Sequence, residues 1–470
     1  MNHYSKNETI VALSTPVGSG AISMVRLSGP DARAILNKIF ISKTFFRDFP
    51  KRTPILGNFV DVDGEMFDEG QVVFYESPNS YTGENLVELF CHGSIVIYRL
   101  LIESACSAGA RVANPGEFTR RAFMEGKIDL VQSESVADLI SSETKTSAKI
   151  ALSQLQGNLS SRLEEIWQQI VEIGSHLEAS IDFPDEFEPG AGPLMKDRPL
   201  QGAELTPFFI ETDNALKELE ESFVSGKVLR EGARVAIIGK PNAGKSTLLN
   251  NLLGEERSIT SEIPGTTRDT IEEVCDVNGI PVRFIDTAGL RNTLDSIEKE
   301  GTKRAYEAAK IADLCLLVID GSLGENELEW AQKEAKKLDV KYLFVVNKID
   351  LLTSDPFFKL KENGKKVSVS ALYNRGFKSL KSLIFNTLTG NKPANASVMH
   401  AILTNERHKN LVIKARSSLK DAFALCKENY SPELVASHLN DSSQAFSELL
   451  GRNYGKSLLD KIFSEFCIGK

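Results

Sequence analysis

Residues 239–246, Gly-Lys-Pro-Asn-Ala-Gly-Lys-Ser, fit GxxxxGK[ST] and constrain this chain more than any other stretch. The apolar run Val235-Ala236-Ile237-Ile238 precedes them and Thr247-Leu248-Leu249-Asn250 follows. A buried strand therefore enters the loop and a helix leaves it. Glycines let such a loop curl until several backbone N–H groups face one anion. The helix N-terminus adds partial positive charge. Lys245 then reaches the β- and γ-phosphates as the catalytic cation, and the Ser246 hydroxyl meets Mg²⁺. A ligand-free glycine-rich turn would account for the octet alone, but four further stretches follow in the required order.

Those stretches specify the nucleotide as GTP. Gly265-Thr266-Thr267-Arg268-Asp269 lies where a switch loop belongs, with Thr267 as second Mg²⁺ hydroxyl. Ile285-Asp286-Thr287-Ala288-Gly289 carries DxxG: Asp286 holds Mg²⁺ through water and the Gly289 N–H senses the γ-phosphate. Asn347-Lys348-Ile349-Asp350 follows the apolar run Leu343-Phe344-Val345-Val346. A carboxylate at Asp350 can accept from two guanine N–H donors, which adenine does not offer. Ser370-Ala371 completes the base loop. The expected GTP contacts are Asn242, Ala243, Gly244, Lys245, Ser246, Thr247, Ser261, Thr266, Thr267, Asp286, Gly289, Asn347, Lys348, Asp350, Ser370 and Ala371.

A chain of 470 residues has room for about three domains. Strands alternating with helices over about 230–390 imply a doubly wound α/β P-loop GTPase domain. Residues 1–125 read as an α+β domain, with strands near 9–14, 21–27, 70–75 and 86–91 and a helix at 94–108. Leu155, Leu159, Leu163, Ile166, Ile170, Ile173, Leu177 and Ile181 make one face of a long helix, ended by Phe183-Pro184. Residues 184–207, with five prolines, read as a hinge, and a second helical pattern leads to Ser225-Gly226. After a linker at 391–395 the chain is helical again, with Leu411, Ala415, Leu419 and Phe423 on one face. The simplest packing joins 126–229 and 391–470 into one helical domain with the GTPase domain inserted.

Net charge of −9 argues against a large sequence-independent nucleic-acid surface. The apolar runs fall short of a membrane span, and the first eight residues lack an apolar signal core, so a cytoplasmic protein away from membranes is expected. Six cysteines without CxxC or metal spacing suit free thiols in a reducing compartment.

Leu290 stands directly after DxxG, where many small GTPases carry a water-orienting Gln. Glu298 is the candidate replacement; its alternative is a solvated helix carboxylate. No arginine finger declares itself. Asn242 either ligates a monovalent cation beside the phosphates or is chosen for turn geometry.

At Thr15-Pro16-Val17-Gly18-Ser19-Gly20, Tyr81-Thr82-Gly83-Glu84, Pro115-Gly116-Glu117-Phe118-Thr119-Arg120-Arg121, Gly126-Lys127-Ile128-Asp129 and Phe466-Cys467-Ile468-Gly469-Lys470, the chain resembles the tRNA modification GTPase MnmE (TrmE) family. The resemblance runs over essentially the full length; Ser94, where the family has a second Gly after His92-Gly93, is a departure. It implies a homodimer acting on tRNA with an MnmG (GidA)-type FAD/NADH flavoprotein, together a heterotetramer. An aminomethyl-type group is installed at C5 of the wobble uridine, with a tetrahydrofolate derivative, 5-formyl or methylene, as one-carbon donor. On the same resemblance Arg26, Glu88 and Lys127 contact folate, and Lys470 is counted with them. Asn242, Ser261, Ile263 and Thr266 hold K⁺, and Glu298 orients water.

Cys467 is either a catalytic nucleophile toward C6 of uridine or a packed residue, since free Cys is often buried. A GTPase switch in ribosome or RNA assembly shares all five nucleotide motifs. The folate-type N-terminal part and the Cys-Ile-Gly-Lys tail are what separate the two readings.

Overall fold

The computed structural model describes residues 8–43, 50–182, 202–255, 273–285, 307–352, 365–390, 401–428 and 430–470. Ser261, Ile263, Thr266, Thr267, Asp286, Gly289, Leu290 and Glu298 lie outside the described residues, as do the linker at 391–395 and most of the stretch 184–207. The chain divides into two compact units, 1–137 with 447–470, and 138–446.

The first unit is built on a seven-stranded sheet of order β3-β4-β5-β6-β2-β1-β7. Its strands are β1 Ile10–Leu13, β2 Ile22–Ser28, β3 Phe40–Ser42, β4 Ile55–Val60, β5 Met66–Tyr75, β6 Leu86–His92 and β7 Arg111–Val112. Strand β2 alternates. Val25 and Leu27 join the core under the helices Ala32–Ile39 and Ile95–Ser107. Arg26 therefore points to the opposite face, the one that Ile10 and Ala12 share with Ala113 and Phe118. Antiparallel pairing of β2 with β6 sets Arg26 directly across from Glu88.

Residues 447–470, read from sequence with the second helical segment, pack in this first unit. The helix Lys456–Ser464 buries Phe463 against the helix Glu117–Met124, with Phe123 and Phe463 ring centroids 6.5 Å apart. Asp460 accepts from Arg120 at 2.6 Å. Gly116 has φ +66, and a Cβ there would lie 2.6 Å from the Phe463 carbonyl oxygen, so the contact requires glycine.

In the second unit the sheet order is β13-β12-β11-β8-β10-β9. The strands are β8 Ala233–Gly239, β9 Glu273–Val277, β10 Ile280–Ile285, β11 Leu314–Asp320, β12 Tyr342–Asn347 and β13 Lys365–Ser368. All neighbours are parallel except β9 with β10. The helices Lys245–Glu255 and Phe377–Thr389 feed one apolar cluster, and residues of 308–312 and the helix Glu325–Ala335 feed another. The two clusters take alternate residues of β8, β11 and β12, so helices cover both faces, as a doubly wound sheet requires.

Helices from both sides of the inserted α/β part meet. Thr206–Glu231 packs on Glu406–Lys427, where Phe209 stacks on Phe423 at 5.0 Å and Arg416 donates to Asp213 and Glu220, each at 2.7 Å. Gly226 does not end its helix; a Cβ there would stand 2.1 Å from the Leu403 carbonyl oxygen. The glycine is a close-approach site. The expected long helix is Asn158–Asp182, and Leu159, Leu163, Ile166, Ile170 and Ile173 are all at most 1% exposed. Leu155 belongs to the preceding helix Lys145–Leu155, because Gly157 at φ +89 interrupts the pattern.

Candidate functional site

Gly239, Asp320 and Asn347 close the carboxyl ends of β8, β11 and β12, adjacent parallel strands. Ligands in open α/β sheets bind at this edge. The phosphate loop leaves β8 and returns into the helix Lys245–Glu255. Asn242 takes φ +60 and Gly244 φ +89. A Cβ on Gly244 would lie 2.2 Å from Asn347 Nδ2, so this position admits only glycine. The Lys245 Nζ donates to the carbonyls of Gly239 and Lys240, both at 2.8 Å. Burial pulls its pKa below the ordinary lysine value.

Asn347 is 2% exposed and joins two loops. Its Nδ2 donates to the Ala243 carbonyl, and its Oδ1 accepts from the Ala371 N–H, each at 2.9 Å. The phosphate loop and the base loop are thus one assembly. Ser370, fully buried, donates to Asp350 Oδ1 at 2.5 Å. Lys348 sits at φ +61 with Nζ 2.5 Å from Asp320 Oδ2. Burial pushes the Asp320 carboxyl upward, but hydrogen bonds from Lys348 and Ser322 outweigh it and leave the pKa lowered. Asn242, Ala243, Gly244, Lys245, Ser246, Thr247, Asn347, Lys348, Asp350, Ser370 and Ala371 all fall on these described loops and the first helical turn. Asp320 escaped the sequence reading. Its signal is the charged residue that closes the apolar run 314–319 before Gly321-Ser322.

A second constellation lies in the first unit. Arg26 Nη2 donates to Glu88 Oε1 at 2.8 Å, and the Tyr75 hydroxyl donates to Glu88 Oε2 at 3.1 Å. The Arg26 guanidinium lies 5.3 Å from the Tyr81 ring centroid and 5.9 Å from that of Phe118. Its Nε is buried without a hydrogen-bond partner among the described residues. Tyr75 and Tyr81 also line a cavity of about 390 Å³ with Arg52, Asn79, Ser80 and Lys127. Lys127 donates to the Pro78 carbonyl at 3.1 Å.

The C-terminal tail reaches the same place. Gly469 at φ +94 passes so close to Leu13 that a Cβ would stand 2.0 Å from its carbonyl oxygen. The Ser14 hydroxyl donates to the Gly469 carbonyl at 3.1 Å, and the Phe118 N–H donates to Lys470 O at 3.2 Å. Burial first, then the Arg26 charge, hold the Lys470 ammonium below its ordinary pKa, against the pull of Cys467 and Glu88. The Phe118 N–H that holds Lys470 O and the Phe118 ring that faces the Arg26 guanidinium set the tail beside the Arg26–Glu88 pair, and Lys127 lines the cavity of Tyr75 and Tyr81. Cys467 is exposed, unlike the buried Cys91, Cys275, Cys315 and Cys426. The packed-thiol reading of Cys467 therefore loses its basis. Arg52, Tyr75 and Asn79 were missed from sequence, because only the fold brings them to one cavity.

Among the described residues no helix is long and apolar enough to cross a membrane, and no cluster of three His, Cys, Asp or Glu can hold a metal.

A family model described as the MnmE helical domain matches residues 130–467, and one described as the GTP-binding protein TrmE N-terminus matches 9–127. A protein of Syntrophotalea carbinolica named tRNA modification GTPase MnmE is 41% identical over 466 residues, 99% of each chain. The Aquifex aeolicus protein of the same name is 40% identical over 468 residues, 98% of this chain and 100% of its own. Among solved structures, a variant of Aquifex aeolicus Era bound to GDP·AlF4⁻ is 31% identical with a TM-score of 0.27, matching 40% of this chain and 66% of that one. With both flanking parts and the inserted GTPase part matched end to end, the chain belongs to the MnmE (TrmE) family of tRNA modification GTPases.

Proposed function

We propose that this GTPase acts with an MnmG (GidA)-type flavoprotein carrying FAD and using NADH, adding an aminomethyl-type group to C5 of the wobble uridine in tRNA. The observation that carries the reading is the Arg26–Glu88 pair, with Lys470 held at Phe118 beside it and Tyr75 joining Glu88 to a tyrosine-lined cavity. A reduced folate has carboxylates, an aromatic p-aminobenzoyl ring and a reduced pterin whose donor edge resembles that of guanine. The buried Arg26 Nε, without a hydrogen-bond partner among the described residues, supplies a donor for an acceptor group. Glu88 offers acceptor lone pairs beyond the two bonds it already accepts. Tyr75 and Tyr81 offer ring faces, and Lys127 and Arg52 offer cations for carboxylates. When bound, the 5-formyl or methylene form supplies the one-carbon unit. Cys467, exposed on the same tail as Lys470, would be the thiol at hand for that chemistry.

In the GTPase part, Ser246 with Thr267 would hold Mg²⁺, and Asp286 would hold it through water. Asn242, Ser261, Ile263 and Thr266 would hold K⁺, and Glu298 would orient the attacking water. Pairing of two GTPase parts across a cytoplasmic homodimer completes the proposal, and two such chains with two flavoprotein chains form the working assembly.

Calorimetry of 5-formyltetrahydrofolate against the full chain tests the first site. Wild type should bind and Arg26→Ala should not; equal affinity in both would remove the assignment. Hydrolysis of GTP in potassium and in sodium at equal ionic strength tests the second. A cation beside the phosphates stabilises charge that grows in the transition state, so kcat should be higher in potassium. Equal rates would remove the K⁺ site.

A further inference from the structure

Lys240, the second residue of the phosphate loop, sends its side chain to the helix Glu325–Ala335. Its Nζ lies 2.7 Å from Glu327 Oε1 and 5.6 Å from the Trp330 ring centroid. Glu327 is 2% exposed, and its Oε2 has no hydrogen-bond partner among the described residues. A carboxylate so deeply desolvated, held on one oxygen by one cation, is weak support for stability. Its geometry serves another end. The backbone carbonyl of the same Lys240 is one of the two acceptors that hold the Lys245 Nζ, the Gly239 carbonyl being the other, each at 2.8 Å. An ammonium has three N–H donors. Two of them are fixed by those carbonyls, so the direction of the third, the one left for a phosphate oxygen, is fixed with them.

We propose that Glu327 is a positioning residue for GTP hydrolysis: through the Lys240 side chain it immobilises the peptide whose carbonyl aims the Lys245 ammonium at the phosphates. The Trp330 ring adds a cation–π attraction that holds the Lys240 ammonium on this side of the loop. If the pair is broken, the Lys240 peptide is free to rotate and Lys245 loses one of its two guides. Misplacing a catalytic group by about an ångström costs up to about 10²-fold in rate.

The test uses the full chain with Glu327→Gln, Lys240→Met, their double variant and Lys240→Arg. Three quantities are read: kcat and KM for GTP, the ³¹P resonance of the β-phosphate of bound GDP, and the thermal midpoint as a folding control. Glu327→Gln and Lys240→Met should each lower kcat by about tenfold or more and shift the β-phosphate resonance in folded protein. The double variant should be no worse than the poorer single one, because both break one link. Lys240→Arg should recover most of what Lys240→Met loses. An unshifted resonance with wild-type kcat in Glu327→Gln would overturn the proposal, as would a double-variant loss equal to the product of the single ones. Should Glu327→Gln or Lys240→Met not fold, the double variant, which leaves no unpaired buried charge, and Lys240→Arg, which keeps the pair, carry the same test.

Discussion

Asn347→Ala should loosen nucleotide binding although Asn347 serves as a brace between loops. The side chain is 2% exposed and makes two hydrogen bonds of 2.9 Å, one to the phosphate loop at Ala243 and one from the base loop at Ala371. Both partners are buried, Ala243 at 1% and Ala371 at 5% exposure, so water cannot replace the lost asparagine without entering the core. At about 1–1.5 kcal/mol net for each bond, the pair contributes about 2–3 kcal/mol. Since about 1.4 kcal/mol is tenfold, the GDP dissociation constant should rise about 30- to 150-fold. Asn347→Asp keeps the bond from Ala371 but sets a carboxylate oxygen against the Ala243 carbonyl, so it should be no better. Competition against a fluorescent GDP analogue measures the constants, with thermal unfolding of the nucleotide-free protein as control. A folded Asn347→Ala protein that binds GDP within about threefold of wild type would refute the bracing argument.

Asp350→Asn should move preference from GTP toward xanthosine triphosphate, because an amide can donate to the carbonyl that replaces the guanine amine; competition binding that still favours GTP would count against the base-pocket assignment. Gly226→Ala gains about 1 kcal/mol of helix propensity, yet its Cβ meets the Leu403 backbone oxygen at 2.1 Å. A rigid backbone cannot yield, so the thermal midpoint should fall, and a rise would contradict the close-approach reading. Glu117, fully buried, has its pKa pushed up by burial but, on balance, held below 4.5 by Arg111, the Asn114 N–H and Arg121. A lowered folded pKa gives stability that is present above pH 4.5 and lost as pH falls through the lower value. Acid unfolding of wild type should therefore be steeper below that pH than in Glu117→Gln; identical profiles would remove Glu117 as a contributor.

The strands that enter the nucleotide site were legible because their apolar runs end on motif residues: Ile237-Ile238 on Gly239, Val345-Val346 on Asn347. Local rules also found β2 and β6, but not their register, which alone makes Arg26 and Glu88 cross-strand neighbours. Nothing local marks Ser14 as the partner of Gly469, 455 positions away. Gly226 looked like a helix end because its reason is a neighbour, Leu403, that only the fold supplies. Nothing local marks Glu327 either, since burial opposite Lys240 is a tertiary fact. Where chain-local physics decides, in strand runs, phosphate loop and turn glycines, sequence sufficed. Where distant segments converge, it did not.

In the proposed function, GTP turnover in this chain drives modification of the wobble uridine with a one-carbon unit held in the N-terminal unit. Mass spectrometry of tRNA nucleosides tests it most directly, in a strain lacking the chain and in that strain carrying wild type, Lys245→Ala or Arg26→Ala. The C5-modified wobble nucleoside should be lost in the deletion strain, restored by wild type and by neither variant. Unchanged nucleosides in the deletion strain, or full restoration by Lys245→Ala, would contradict it.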